Sequence, residues 1–220
     1  MGAYSDLPNF LGENLTQIAE ELKYSDANIA VLEGKIELLK SNFPQVLKNI
    51  QSCIHNRDRR TPLEYAQDLV ASWIFEDYIV KKIQENPLLE ILLAGADKKR
   101  EILPGSRVSA NSDTIICFKG RKRPLEIMTD YTGYWKNYKR IDLRDSKYEK
   151  LTNSKSLFLG FSTKDTKYIL LDFAKQIPAK FIPSHFPYGG KPAYSIEITD
   201  EELKQFETNE LCDEIIALCR

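Results

Sequence analysis

Residues 113–131, DTIICFKGRKRPLEIMTDY, constrain the fold more than any other stretch of the chain. The apolar run Thr114-Ile115-Ile116-Cys117-Phe118 reads as a strand, residues 119–124 as a turn, and Leu125-Glu126-Ile127-Met128 as the start of a second strand, which together make a β-hairpin. Asp113 opens the first strand and Glu126 lies within the second. A carboxylate is expensive to bury unless it is paired or binds a metal, so acids on adjacent apolar strands call for a nearby cation.

Around this hairpin the sequence alternates helical and extended patterns. Residues 12–54 carry Leu15, Ile18, Ala19 and Leu22, then Ile29, Leu32, Ile36 and Leu39, at helical spacing, with Ser25-Asp26 as a break and Pro44 as a stop. This predicts a helical N-terminal region, residues 1–60, serving either as an arm for a partner or as a layer over a sheet. Thr61-Pro62-Leu63-Glu64 is a capping-box start for a helix reaching about Gln84, and Glu76 and Asp77 fall in its apolar sector. Residues 88–93 are too short and Leu-rich to assign to helix or strand by periodicity. A polar loop, residues 104–112, holds Arg107 and leads into Asp113. Further on, residues 141–151 read as a helix, 156–161 and 167–173 as strands, 178–192 as a long loop with His185, and 194–198 as a short strand. Thr199-Asp200-Glu201-Glu202 would cap a last helix ending at Leu218. Residues 61–220 thus form a mixed α/β domain, a mixed central β-sheet flanked by helices, with the N-terminal region as a helical extension.

A net charge of −1 excludes a protein that coats polyanions through bulk charge. Its distribution is uneven. Residues 119–150 hold ten Lys and Arg against five acids, whereas residues 195–220 hold two against eight, so a polyanion would meet the middle of the chain. Within 129–140, Tyr134, Trp135, Lys136, Lys139 and Arg140 interleave aromatic rings with cations, as nucleotide stacking and phosphate contact require. An aromatic cluster covering a sheet edge has the same signature. Four scattered cysteines without a C-x-x-C pair, and only two histidines, leave little material for a zinc site or a His-based catalytic centre. The sequence has no membrane-length apolar run and its N-terminus lacks a signal-peptide pattern, so no membrane partner and a cytoplasmic home are expected.

The order helix, strand, Asp-headed strand, turn, Glu-bearing strand, helix, strand over about residues 61–173 resembles the PD-(D/E)XK nuclease superfamily, which contains most type II restriction endonucleases. The resemblance implies a restriction endonuclease-like core in which Asp113 and Glu126 bind Mg²⁺, with Glu76 or Asp130 as further acids. Two residues after Glu126, where the family places a Lys that assists the attacking water, stands Met128. Lys136 and Lys147 are the substitutes the resemblance offers for that cation. It further implies a deoxyribonuclease acting on double-stranded DNA as a homodimer, with Arg107, Tyr134, Trp135, Lys136, Lys139, Arg140 and Arg144 along the DNA. The alternative is an inactive nuclease-fold protein that binds nucleic acid or serves assembly.

Overall fold

The computed structural model describes residues 7–52, 60–94, 99–104 and 114–220, so Arg107 and Asp113 lie outside the described residues. The chain divides into two units, one of residues 1–81 and 99–108 and another of residues 82–98 and 109–220.

The first unit is helical. Short helices α1 (Leu7–Leu11), α2 (Leu15–Glu21), α3 (Asp26–Leu32), α4 (Ile36–Asn42) and α5 (Pro44–Gln51) precede the long α6 (Pro62–Gln84). Their ends follow from local chemistry. Asn14 Oδ1 accepts from Thr16 N at 2.8 Å to cap α2, Ser25 caps α3, and Pro44, which lacks an N–H, separates α4 from α5. The α6 capping box is formed: Glu64 N donates to Thr61 Oγ1 at 3.2 Å and Thr61 N donates to Glu64 Oε2 at 2.7 Å. That backbone bond holds the Glu64 carboxyl below its usual range. Residues 99–104 are pinned to the helices by side-chain amides, Asn28 Nδ2 to Arg100 O and Asn49 Nδ2 to Ile102 O, each at 2.8 Å.

The second unit is built on a six-stranded mixed sheet, in the order β1 (Leu89–Leu93), β2 (Thr114–Phe118), β3 (Arg121–Asp130), β5 (Leu157–Ser162), β6 (Lys167–Asp172), β9 (Lys204–Gln205). All neighbours are antiparallel except β3 and β5, which run parallel, Glu126 beside Phe158 and Met128 beside Gly160. Residues 88–93, undecided by periodicity, thus supply the strand β1. The β2–β3 connection is shorter than the sequence suggests. Lys119 and Gly120 alone turn the chain, with φ of 47° and 78°, as a two-residue hairpin with both central residues left-handed requires. Arg121 to Pro124 therefore belong to β3 rather than to a loop, and Arg123 is bonded to Asp172.

A parallel pair needs a crossover, and here it consists of α7 (Tyr134–Tyr138), β4 (Arg140–Arg144) and α8 (Asp145–Asn153). The predicted helix over 141–151 is corrected: its first part is β4, and the helix starts at Asp145. β4 leaves the main sheet and pairs with β8 (Lys191–Glu197), which pairs with β7 (Lys180–His185), giving a second antiparallel sheet. The long loop read over 178–192 is thus mostly the β7–β8 hairpin; its prolines and glycines gather around a 3₁₀ turn at Phe186–Tyr188. The Thr199 and Glu202 capping bonds exist, but they close a turn, and the last helix, α9 (Thr208–Cys219), begins later. Beneath the crossover, Trp135, Ile141, Leu143, Leu151, Phe158 and Ile169 form an apolar cluster against which Met128 packs.

Candidate active site

Strand alternation places Glu126, Met128 and Asp130 on one face of β3. Glu126 is only 3 % exposed, so its charge needs partners. α8 supplies them. Lys147 Nζ donates to Glu126 Oε1, and Lys150, one turn later on the same side of the helix, brings Nζ to 3.7 Å from Oε2. Glu126 Oε2 itself accepts no hydrogen bond. Both lysines are partly exposed, so the buried carboxylate is joined to solvent through two ammonium groups.

Of the two substitute cations, the structure brings Lys147 to Glu126 and sends Lys136 elsewhere, to Asp165 Oδ1 at 2.6 Å on the surface. Met128, two residues after Glu126, packs against the apolar cluster under the crossover. Asp130 shares the Glu126 face, yet both of its oxygens are engaged locally. Oδ1 accepts from Thr132 N at 2.9 Å and Thr132 Oγ1 at 2.6 Å, and Oδ2 accepts from Trp135 N at 2.8 Å. It fastens the turn into α7. Glu76 belongs to the helical unit, where Arg100 Nη1 donates to its Oε2 at 3.1 Å and the same guanidinium holds Asp77.

The aromatic and basic segment divides. Trp135 is core, its ring lying over Gly160. Tyr134 and Tyr138 face each other with ring centres 4.6 Å apart, and the Arg140 guanidinium lies 5.5 Å and 5.7 Å from the two rings. Lys139 pairs with Asp200, and Arg144 lies over the Tyr188 ring at 5.3 Å.

Sequence reasoning missed a second polar group beside these residues. Asp142, on β4, is buried, and its Oδ2 accepts from Tyr134 OH at 2.5 Å and pairs with His185 Nε2 at 2.8 Å, with Arg140 Nε at 3.4 Å. Its backbone oxygen accepts from Tyr188 OH at 2.5 Å. Burial alone would raise the Asp142 carboxyl, but the neighbouring Ser195, the Tyr134 and His185 hydrogen bonds and the nearby Arg140 leave it below its usual range. Burial and the Asp142 charge push Tyr188 up to about 12. Asp142, Tyr134, His185 and Tyr188 wall a cavity of about 240 Å³ together with Met128 and Asp130. An acid between Ile141 and Leu143 was the one available signal, since its partners His185 and Tyr188 come from β7 and the turn after it.

Among the described residues, no three acids, histidines or cysteines converge as a ready metal centre. Glu126 Oε2 nevertheless suits a hard cation, being a buried carboxylate oxygen with no hydrogen-bond donor. No family model matches the chain, and no curated protein matches it.

Proposed function

We propose that the chain is a Mg²⁺-dependent endodeoxyribonuclease of the restriction endonuclease-like kind, acting on double-stranded DNA as a homodimer. One observation carries the reading: a buried Glu126 on β3 meets Lys147 from the crossover that leads into the parallel strand β5. The order of an antiparallel β1–β2–β3 meander followed by a helical crossover to a parallel strand supports it. Glu126 Oε2 and Asp113 are the oxygens that would hold Mg²⁺, which when bound supplies Lewis acidity at the scissile phosphate and a lowered pKa for the attacking water. Lys147, reaching solvent beside Glu126, takes the role that Met128 vacates: it orients the water and compensates charge that develops on the phosphate oxygens. Lys150 adds a second cation and keeps Glu126 compensated while Lys147 engages substrate.

The inactive, DNA-binding alternative is favoured by the same cluster in one respect: two ammonium groups around a single carboxylate already satisfy its charge. Supercoiled and linear DNA incubated with Mg²⁺ or EDTA separates the readings, alongside Glu126→Gln, Lys147→Met and Met128→Lys. The enzyme reading expects discrete Mg²⁺-dependent fragments, lost in Glu126→Gln and slowed roughly 10²-fold or more in Lys147→Met. Cleavage by none of the forms, with salt-sensitive binding retained, leaves the binding module.

A further inference from the structure

Phe186 is 93 % exposed, far more than any other large hydrophobic side chain among the described residues. It is not a frayed position. The 3₁₀ turn Phe186–Tyr188 has Pro187 in its first turn and is closed by Gly189 N donating to Phe186 O at 2.9 Å and Gly190 N donating to His185 O at 3.0 Å. Gly189 and Gly190 sit at φ of 66° and 81°, which side chains rarely adopt, so the tight return depends on them. Below the turn, His185 and Tyr188 are both bonded to Asp142, and their rings lie 4.8 Å apart. The residues on either side of an exposed phenyl ring are therefore anchored to one buried carboxylate-bearing strand residue. The Asp142 group holds the ring out in water.

The surroundings select the partner. Arg144 lies over the Tyr188 ring, and Lys191 stands opposite His185 in the β7–β8 ladder; both are exposed. Each cation adjoins a residue close to the exposed ring in the chain, and an aromatic ring with cations nearby matches a base step and its phosphates. Through Pro187 and Tyr188 the turn also borders the cavity lined by Met128 and Asp130, which share a face of β3 with Glu126.

We propose that Phe186 is an intercalating wedge that enters a base step of duplex DNA while Arg144 and Lys191 contact the adjoining phosphates. The wedge unstacks the step and kinks the duplex. The proposal rests on the DNA-binding part of the reading above and not on cleavage.

Duplexes carrying 2-aminopurine at each type of base step, titrated with the full chain in EDTA, report unstacking as increased fluorescence, while anisotropy of an end label reports binding. The expected result is an increase at one step with the unaltered protein, no increase with Phe186→Ala, and its return with Phe186→Trp. Phe186→Ala should also bind roughly 10-fold more weakly, from the loss of a single stacking contact. Equal binding and equal fluorescence in Phe186→Ala overturn the wedge, and if Mg²⁺-dependent cleavage persists the nuclease reading survives that failure. Unstacking without cleavage in Mg²⁺ keeps the wedge and removes the nuclease. A dimer that becomes monomeric in Phe186→Ala by light scattering, with DNA response unchanged, assigns the ring to a second copy and overturns the wedge.

Discussion

Replacing Gly160 with Ala sets two opposing effects against each other on the central strand β5. Alanine loses less backbone entropy on folding than glycine within a strand, which favours the variant by about 0.5–1 kcal/mol. Against that, a Cβ at position 160 would lie 2.7 Å from both Trp135 Cη2 and Cζ3 and 2.9 Å from Phe158 Cε1. None of these neighbours can recede cheaply. β5 is bonded to β3 on one side and β6 on the other, Phe158 is fully buried, and Trp135 is tied through its backbone N to Asp130. Forcing a methyl into packing costs about 1–3 kcal/mol, and three contacts under 3.0 Å on held neighbours put this case at about 2–3, so the clash wins by roughly 1–2 kcal/mol. With a urea slope of about 2 kcal/mol/M the midpoint falls by roughly 0.5–1 M. The chain has two tryptophans, so in a Trp73→Phe background fluorescence reports Trp135 alone. Combining Gly160→Ala with Trp135→Leu should recover about 1 kcal/mol relative to the sum of the single changes, followed by circular dichroism. A Gly160→Ala protein as stable as the parent, or strict additivity in the double variant, would refute the packing argument.

Two further outcomes are expected. Arg100→Met should cost about 3 kcal/mol in chemical denaturation, because it strips Asp77 and Glu76 of a guanidinium that is itself only 10 % exposed; a loss under about 1 kcal/mol would show that water compensates them. Stability should also fall below about pH 4, since burial of Asp142 and Asp172 is outweighed by their hydrogen-bond and cationic partners and both carboxyls are lowered. Their stabilisation is complete above the unfolded carboxyl pKa and is lost as pH drops through the folded value, so Asp142→Asn should flatten the acid limb of a pH–stability profile. An unchanged acid limb would remove Asp142 from that account.

Local chemistry made several elements readable. The Thr61–Glu64 capping box, the Pro44 break, the β2–β3 hairpin and the β5–β6 pair are each set by residues within a few positions of one another. Reading failed where partners are distant. Ile141-Asp142-Leu143 has the composition of a helix start, and only pairing with β8, some fifty residues on, makes it a strand. The same distance hid the link between Asp142 and His185. Glu126 and Lys147 were each visible as candidates, but their meeting depends on the crossover returning α8 over β3. Asp130 and Glu76 looked like further acids because an engaged carboxylate and a free one have the same sequence; Trp135 N and Arg100 are what distinguish them.

The basic surplus of residues 119–150 changes meaning once its partners are known. Lys136 is paired with Asp165, Lys139 with Asp200, Arg123 with Asp172, and Lys147 and Lys150 with Glu126, so much of the excess is internally balanced. Lys136 and Lys139 sit in half-exposed pairs worth little individually, and such pairs exchange a carboxylate for a phosphate at small cost. Arg144 differs: among the described residues it stacks on Tyr188 with no acid within ion-pair distance. Its charge is available without breaking an existing bond, and it lies beside the turn that presents Phe186. Under the proposed wedge, a phosphate backbone would meet Arg144, stacked on Tyr188, next to the turn that carries Phe186, and that contact would need no ion pair to break.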